Sequence, residues 1–280
     1  MQPYADLSRP PLSEPALRRA LVVPDGLWTD VRVVRETGST NADVMAAART
    51  GAAEGLVIVA ERQVAGRGRL DRQWHAPAQA ALTLSVLLRP PPGRLSWLPL
   101  LAGVALVDMV RRLAEVDAAL KWPNDLLVRA PDEEDAPWGK CAGILAEAGD
   151  GAVVLGIGLN VLQRAEELPP PPDPAAMPPT SLALVGAALS DRAPLLKGLL
   201  RTLADHYKAF TGAGGDPIAS GLVEAYRDRC ATIGQEVTVT LPTGGELRGH
   251  AYDVDADGRL VVVTGEGTHA LAAGDVRHVR

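Results

Sequence analysis

Hydrophobic residues fall into several short runs and one long periodic segment along this 280-residue chain. The runs at 56–60, 81–88 and 152–161 are short and rich in β-branched residues, which predicts buried strands. Residues 97–113 repeat apolar positions with a helical period and have the length of a helix. A weaker alternation at 31–35 predicts one more strand.

Turn and cap signals complete the prediction for the first two-thirds of the chain. Small polar residues at 39–41 precede an alanine-rich stretch that Gly51 closes, which predicts a helix over about 42–50. The apolar runs at 126–128 and 142–145 flank an acidic, turn-rich stretch, which is typical of a β-hairpin. Further helices are expected near 181–190, 193–211 and 216–230.

The pattern changes near Gly234. From there, short alternating runs follow one another at even spacing, separated by turn signals such as DADG and GEG. This predicts a small all-β barrel of about fifty residues. We therefore expect an N-terminal extension (1–30), a main domain (31–231) and a small C-terminal domain (232–280).

Two proline-rich stretches are expected to be irregular. Residues 1–15 are dotted with proline and should be loosely held. Seven of the 23 prolines fall within 169–179, which predicts an irregular loop there rather than a disordered chain.

Composition excludes several classes of protein. The 28 basic and 34 acidic residues give a net charge of −6, which argues against a general nucleic-acid binder but leaves room for a local basic patch. Two cysteines, Cys141 and Cys230, are too few for a disulfide scaffold or most zinc modules. The N-terminus does not resemble a targeting signal and the apolar runs are too short to span a membrane, so we expect a cytoplasmic location.

The stretch 63–74 is the sharpest chemical feature of the sequence. It carries two glycines and three arginines, namely Gly66, Gly68, Arg67, Arg69 and Arg72. Glycines let the backbone approach a ligand closely, and guanidinium groups suit carboxylates and phosphates. The alternative is a solvated loop whose arginines pair with Asp71 and Glu61.

Two further stretches carry charged or amide groups. KWPND at 121–125 places an ammonium, an amide and a carboxylate within five residues, a set that can hold a phosphate and its Mg²⁺. Lys140 opens an apolar strand, where a cation needs a nearby anion. The alternatives are a strand end with a proline turn at 121–125 and a snorkelling edge lysine at Lys140.

Two more stretches carry small and polar residues. GIGLN at 156–160 ends a strand with glycines where larger side chains would fill a pocket, although close packing explains glycine equally well. GSTN at 38–41 offers hydroxyls and an amide at a helix start, where simple N-capping is the alternative.

Together and in this order, the stretches resemble one family, the biotin–protein ligases (biotin–[acetyl-CoA-carboxylase] ligases). The matching segments are GSTN at 38–41, Q-x-x-GRGRxxRxW at 63–74, KWPND at 121–125, KCAGIL from Lys140 and GIGLN at 156–160. The resemblance covers roughly residues 30–280, and five ordered motifs make a chance match very improbable.

The resemblance implies an α+β fold: a class II synthetase-like mixed sheet with helices, followed by a small SH3-like β-barrel. It also implies two half-reactions. Biotin and ATP, with Mg²⁺, give biotinyl-5′-AMP and pyrophosphate. A lysine of the biotin carboxyl carrier domain of acetyl-CoA carboxylase, or of a related carboxylase, then takes the biotin.

The same resemblance assigns roles to residues of this sequence. The catalytic residues would be Arg67, Lys140 and Asp125, with Asp125 also the candidate Mg²⁺ ligand. Biotin would be bound by Ser39, Thr40, Asn41, Gln63, Arg67, Gly68, Arg69, Lys140, Gly143, Gly156 and Gly158. ATP and the adenylate would be bound by Arg69, Arg72, Trp74, Lys121, Asn124 and Asn160. We also expect the loop at 63–75 to close over the bound adenylate and exclude water.

Some members of the family carry an N-terminal DNA-binding domain and repress transcription. Only 37 residues precede Gly38, too few for such a domain, so we expect a monofunctional ligase that does not repress transcription. Residues 235–280 hold four arginines and seven acids, a net charge of −3 that repels phosphates, so no DNA partner is expected.

Two alternative functions stay open at this point. One is a lipoate–protein ligase and the other a non-enzymatic, biotin-responsive regulator. The oligomeric state is also open, between a monomer and a weak homodimer. We expect no membrane partner, and we interpret His250, His269 and His278 as surface or packing residues because their spacing matches no metal signature.

Overall fold

The structure is a computed structural model that describes residues 9–69, 72–131, 135–171, 173 and 176–279. Over these residues the helices are α1 (Glu14–Leu21), α2 (Thr40–Arg49), α3 (Trp97–Leu113), α4 (Arg192–Gly212) and α5 (Leu222–Arg227). The strands of the larger sheet are β1 (Asp30–Val34), β2 (Leu56–Ala60), β3 (Ala81–Leu88), β4 (Asp117–Lys121), β5 (Asp125–Arg129), β6 (Gly139–Gly149) and β7 (Ala152–Asn160). The C-terminal strands are β8 (Glu236–Thr240), β9 (Glu246–Val254), β10 (Leu260–Thr264), β11 (Gly267–Leu271) and β12 (Asp275–His278).

The larger sheet has the order β1-β2-β3-β7-β6-β5-β4. β1 and β2 run parallel, and every other neighbouring pair is antiparallel. Every residue of β2, β3 and β7 is buried, because helices cover both faces at the centre of the sheet. Helix α2 packs with Val44 and Ala48 on one face, whereas α3 and α4 belong to the larger core on the other.

Most of the predicted elements are confirmed. Helix α3 has the predicted bounds, the predicted strands form, and β5 and β6 pair as the expected hairpin. Helix α2 ends at Arg49, and Gly51 follows its C-cap with a φ of +89°, the left-handed conformation that glycine adopts most easily.

The predicted helix at 181–190 is wrong. Backbone N–H groups in this segment bond to neighbouring elements: Leu182 to the Asn160 carbonyl at 3.2 Å and Ala188 to the Ala114 carbonyl at 2.9 Å. The segment therefore forms a series of turns. The helix expected at 216–230 is shortened to α5, which starts after Gly221 in a left-handed conformation (φ 73°).

The expectation that residues 1–15 are loosely held is wrong for the part that the structure describes, and residues 1–8 lie outside it. Helix α1 covers the outer edge of β1. Glu14 Oε2 accepts the N–H of Val33 at 2.7 Å, and Arg18 Nη1 donates to the carbonyl of Val31 at 3.5 Å. These side chains occupy backbone groups that an exposed edge strand would offer to another chain.

A buried ion pair joins the N-terminal segment to the core. Arg192, at the start of α4, donates to Glu61 Oε2 at 2.6 Å, and the two side chains are 2% and 8% exposed. The other Glu61 oxygen accepts the N–H of Leu12 at 2.6 Å, and Arg192 also donates to the carbonyl of Pro10 at 2.6 Å. Both members of the pair therefore make further hydrogen bonds to the chain, although Arg192 Nε is buried without a partner.

The C-terminal unit is an antiparallel sheet with the order β11-β10-β9-β8-β12. Two buried indoles of the larger unit donate to its backbone: Trp97 Nε1 to the Ala256 carbonyl at 2.8 Å and Trp122 Nε1 to the Gly258 carbonyl at 3.1 Å. Both rings are almost fully buried, at 0% and 1% exposure, so the two units share one core.

We predict that Arg192→Met destabilises the protein by about 3–5 kcal/mol, because it leaves the Glu61 carboxylate buried without its cation. Urea unfolding measures the change. The double variant Glu61→Gln/Arg192→Met should recover part of the loss, and Arg201→Ala, at an exposed arginine of the same helix, should have little effect. Wild-type stability of Arg192→Met would contradict the prediction.

Candidate active site

A cavity of about 570 Å³ opens above β6 and β7. Four other segments complete its walls: the start of α2, the stretch 63–75, the proline-rich segment around 169–179, and β12 of the C-terminal unit. All of the predicted site residues line it: Ser39, Thr40, Asn41, Gln63, Arg67, Gly68, Arg69, Arg72, Trp74, Lys121, Asn124, Asp125, Lys140, Gly143, Gly156, Gly158 and Asn160. Sequence segments far apart in the chain therefore meet at one site.

Glycines on β6 and β7 make the cavity floor. A Cβ atom on Gly156 would lie 2.1 Å from Asn41 Oδ1, and one on Gly158 would lie 2.4 Å from the Trp74 ring. The antiparallel register pairs Gly143 with Gly158, so both face the indole from the same side. Here glycine is required by the close packing of the Asn41 and Trp74 side chains, the alternative that the sequence left open, and not by backbone conformation.

Hydroxyl and amide groups form one wall. Thr40 donates its backbone N–H to Gln63 Oε1 at 2.8 Å, and its Oγ1 lies 2.7 Å from Ser85 Oγ. Ser85 in turn donates to Asn41 Oδ1 at 2.6 Å. Ser39 stands at the N-cap position of α2 but makes no capping side-chain bond, so the alternative interpretation of these residues as simple caps is not confirmed.

The described residues of the stretch 63–75, which exclude 70 and 71, pair as the two arms of a small hairpin. Trp74 N donates to the Gly66 carbonyl at 2.9 Å, and Gly68 N donates to the Arg72 carbonyl at 2.7 Å. A Cβ atom on Gly66 would lie 2.4 Å from the Trp74 carbonyl oxygen, so the hairpin closes only with glycine there. With this backbone geometry, the Trp74 indole packs against Gly143 and Gly158 of the sheet.

The loop arginines find partners other than those of the solvated-loop alternative. Arg67 Nη2 lies 3.3 Å from Glu147 Oε1, and Arg72 pairs with Asp275 of β12. Glu61 pairs instead with Arg192, and Asp71 lies outside the described residues. The loop is thereby linked to both β6 and the C-terminal unit.

Lys140 lies next to an anion, Asp125, as expected for a cation at the start of an apolar strand. Its Nζ lies 2.7 Å from Asp125 Oδ1, with the two side chains 31% and 14% exposed. Asn124, next in the same turn, accepts from Arg69 Nη1 at 3.2 Å and donates to the Ile144 carbonyl at 2.9 Å. The KWPND turn therefore holds two of the site cations.

Lys121 is buried at 9% exposure. Burial lowers the pKa of Lys121, although the charges of Asp125 and Asp275 act in the opposite direction. Burial alone would raise the pKa of Asp275, but the hydrogen bond and charge of Arg72, with the charges of Lys121 and Lys140, lower it. Among the described residues, six side-chain cations line the cavity, namely the five predicted ones and Arg277, and carboxylates lie between them.

Several functional residues carry no signal in the sequence. Ser85 is a single serine in an apolar strand, and Glu147 occupies an ordinary alternating position of β6. Residues 274–278 of the C-terminal unit line the cavity, and Arg277 pairs there with Asp173. Only the folded structure shows that residues 274–278 line the cavity, and that Ser85 and Glu147 contact its lining residues Asn41 and Arg67.

Two further residues that the sequence singled out, Cys141 and Asn160, contact other parts of the protein. Cys141 is fully buried, as expected for a core residue. Asn160 donates to the Thr180 carbonyl at 2.9 Å and accepts from Gln163 at 2.7 Å, so its amide also holds the proline-rich segment. Within the described ranges, no cluster of three or more His, Cys, Asp or Glu side chains could hold a metal, and no helix could cross a bilayer.

Comparison with known proteins places this cavity in a family. Residues 35–162 match the Biotin/lipoate A/B protein ligase family, and residues 232–279 match the Biotin protein ligase C terminal domain. The curated biotin–[acetyl-CoA-carboxylase] ligase of Mycobacterium tuberculosis is 44% identical over 98% of both chains. The chain belongs to the biotin protein ligase family.

Other relatives of this ligase support the same assignment. The bifunctional ligase/repressor BirA of Bacillus subtilis is 31% identical over 82% of the ligase and 68% of its own length. The solved biotin protein ligase of Aquifex aeolicus in complex with biotin and ATP shares the fold, with a TM-score of 0.72 at 24% identity over 90% of the ligase. The expected α+β class is confirmed, a class II synthetase-like mixed sheet followed by an SH3-like unit.

We predict that Gly158→Ala displaces the Trp74 indole, because the added methyl would lie 2.4 Å from that ring. Tryptophan emission should shift to longer wavelength, with Trp74→Phe identifying the contribution of this ring. In Gly143→Ala the methyl would lie 3.6 Å from the same indole, an ordinary van der Waals distance. The tryptophan emission and the melting temperature of this variant should therefore stay near the wild-type values. An unshifted spectrum for Gly158→Ala would contradict the packing described.

Acid should destabilise the ligase partly through His278. Burial lowers the pKa of His278 from 6.5 to about 4, and the charge of Lys121 acts in the same direction. As the pH falls, His278 is therefore protonated in the unfolded chain before it is protonated in the folded protein. The contribution of neutral His278 to the free energy of unfolding is complete above about pH 6.5 and is lost as the pH falls towards 4.

We predict that His278→Asn flattens the fall in unfolding free energy between those two pH values, measured by urea titration. His250→Asn, at an exposed position of β9, is the control and should keep the wild-type slope. Parallel curves for wild type and His278→Asn would refute this role of His278.

Proposed function

We propose that the cavity carries out both half-reactions of an ATP-dependent biotin–protein ligase. In the first, a biotin carboxylate oxygen attacks the α-phosphorus of ATP, the bond to the β-phosphate oxygen breaks, and pyrophosphate leaves. In the second, an acceptor lysine amine attacks the biotinyl carbonyl, AMP leaves, and the amine loses a proton. The observation that carries the proposal is the convergence of every predicted motif on one cavity in a chain of this family.

The cations support the first step. An anionic carboxylate approaching a phosphate meets repulsion that fixed positive groups must offset as charge develops. Arg67, Arg69, Arg72, Lys121 and Lys140 all line the cavity. We assign Arg67 and Arg69 to the biotin carboxylate and the adenylate phosphate, and Lys140 to the biotin carboxylate and the acyl-adenylate.

The pair of Lys140 and Asp125 supports the second step. Asp125 Oδ1 lies 2.7 Å from Lys140 Nζ, so its carboxylate is held beside the group that we assign to the acyl-adenylate. A neutral amine is needed for attack, and Asp125 is placed to orient it or to accept its proton. This assigns Asp125 a role in the transfer and Lys140 a role in both steps.

Mg²⁺ belongs to the proposal as a companion of ATP. The ion commonly takes one or two carboxylates and completes its shell with water and substrate phosphates, so the Asp125 carboxylate with the Asn124 amide oxygen fits it. When bound, it would neutralise charge on the phosphates.

The binding assignments follow the walls of the cavity. The hydroxyl and amide wall, with the floor of glycines, suits the uncharged ring system of biotin, whereas Trp74, Asn124 and Asn160 are assigned to the nucleotide side. The hairpin at 63–75 lines the cavity, and in this proposal it closes over the adenylate and excludes water from it. Protection of its amides from hydrogen exchange should increase when biotin and ATP are added, and unchanged protection would refute the closure.

The acceptor in this proposal is a biotin carboxyl carrier domain of acetyl-CoA carboxylase or a related carboxylase, in the cytoplasm. The relative from Mycobacterium tuberculosis bears that enzyme's name. We propose no DNA partner, since residues 235–280 carry a net charge of −3 that repels phosphates. The domain division at 30/31 and 231/232 is retained as part of the proposal, as is a monomer or weak homodimer.

We predict that Lys140→Ala lowers kcat/KM for biotin transfer by at least about a hundredfold, as expected when one fixed charge at the reacting group is removed. Mass spectrometry of a carrier domain incubated with biotin, ATP and Mg²⁺ measures the transfer. Lys208→Ala, at an exposed lysine of α4, is the matched control and should transfer at the wild-type rate.

Lipoate in place of biotin tests the substrate class in the same assay. We expect a mass increase of the carrier with biotin only. Preferential transfer of lipoate by the wild-type protein, or full biotin transfer by Lys140→Ala, would overturn the proposal in its substrate or in its catalytic assignment, respectively.

A further inference from the structure

A chain of polar side chains runs along one wall of the cavity and ends at a residue that the proposed mechanism does not use. It consists of Gln63, Thr40, Ser85, Asn41 and Glu147, with contacts of 3.0, 2.7, 2.6 and 2.7 Å between successive side chains. Thr40, Ser85 and Asn41 are all less than 9% exposed. Buried polar groups need complete hydrogen bonding, so the position of each hydrogen in this chain matters.

The two ends of the chain fix the orientation of its amides. At one end Gln63 presents Oε1, because it accepts the backbone N–H of Thr40 at 2.8 Å. At the other end Asn41 Nδ2 donates to Glu147 Oε2 at 2.7 Å and makes a longer contact, 3.4 Å, with the Leu145 carbonyl. A carboxylate only accepts, so the Asn41 Nδ2 group faces Glu147 and its Oδ1 faces Ser85.

Between these ends there are more contacts than hydrogens. Three oxygen–oxygen contacts link the Gln63 oxygen to the Asn41 oxygen, but the hydroxyls of Thr40 and Ser85 supply only two hydrogens. The two shorter contacts are satisfied when Ser85 donates to Asn41 and Thr40 donates to Ser85. The longest, 3.0 Å between Thr40 Oγ1 and Gln63 Oε1, is then left without a hydrogen.

Two neighbouring acceptor oxygens without a shared hydrogen form a site for a donor. Both Thr40 and Gln63 line the cavity, so a bound molecule with N–H groups can supply the missing hydrogens. The ureido ring of biotin carries two such groups, and to this extent the inference rests on the proposed function.

We propose that Glu147 is a positioning residue for the substrate. It acts through Asn41 and Ser85 to turn the Thr40 hydroxyl away from Gln63, which keeps both oxygens as acceptors for the ureido N–H. Without the carboxylate, only the longer contact with the Leu145 carbonyl opposes reversal of the Asn41 amide. After reversal, Ser85 can donate to Thr40, and Thr40 can donate to Gln63 within the protein. The substrate then competes with a hydrogen bond already made within the protein.

A second role for Glu147 makes a different prediction. Its carboxylate lies 3.3 Å from Arg67 Nη2, but the two side chains are 33% and 54% exposed, where an ion pair contributes little. If Glu147 acted by holding Arg67 for the adenylation step, removal of the Glu147 carboxylate would lower kcat. The effects of Glu147→Ala and Ser85→Ala would then be independent of each other.

Steady-state transfer at saturating ATP distinguishes the two roles. We expect Glu147→Ala and Ser85→Ala each to raise the biotin KM by about three- to tenfold, the value of one buried hydrogen bond, with kcat little changed. Because both act through one chain, the double variant should be no worse than the poorer single variant. Glu147→Gln retains an acceptor oxygen and should fall between wild type and Glu147→Ala.

Two further measurements complete the test. Biotin methylated at a ureido nitrogen lacks one donor and should bind more weakly than biotin. This loss of affinity should be smaller for Glu147→Ala than for the wild-type protein. Asp150→Asn, at an exposed acid in the turn after β6, is the matched control and should keep the wild-type KM. Melting temperatures identify any variant that is unfolded at the assay temperature.

The inference is overturned if the Glu147→Ala and Ser85→Ala effects multiply, or if Glu147→Ala lowers kcat with an unchanged biotin KM. It is also overturned if Glu147→Ala behaves as wild type while the wild-type protein transfers biotin. A wild-type protein that transfers no biotin would instead overturn the proposed function, so the two failures are distinguishable.

Discussion

The repulsion among the cations gathered at one cavity is the constraint on which the rest of the site depends. In a chain with a net charge of −6, this cluster is held together by acids that arrive from three directions. Asp125 comes from the KWPND turn, Glu147 from β6 and Asp275 from the C-terminal unit. Each acid neutralises a cation that would otherwise be costly to hold partly buried beside its neighbours.

This constraint explains why the C-terminal unit is part of the site. Asp275 lies on β12 and pairs with Arg72 of the 63–75 hairpin, while Arg277 of the same strand pairs with Asp173 of the proline-rich segment. Two irregular segments that cover the cavity are therefore both tied to one regular strand. Val276 of that strand is buried in the same core cluster as Trp97 and Trp122.

The site residues that belong to motifs could be predicted from the sequence, because such motifs are local signals. Glycine next to arginine is one example, and lysine followed by Trp-Pro-Asn is another. Ser85 and Glu147 could not be found in this way, since their importance arises from register across strands and not from neighbours in the chain. The helix expected at 181–190 failed for a related reason. Local propensity favoured it, but Asn160 and Ala114 offered its backbone hydrogen bonds that only the folded chain provides.

The glycine floor limits how the cavity can be remodelled. At Gly156 and Gly158 the wall is already bare backbone, with Asn41 and Trp74 in contact on the other side. No substitution there can create space, because every other residue is larger. A cavity for a bulkier substrate would have to be made at the indole of Trp74, which belongs to the hairpin and not to the sheet. The sheet side of the site thus sets an upper limit on the space available, and the side formed by the hairpin is the one that can be redesigned.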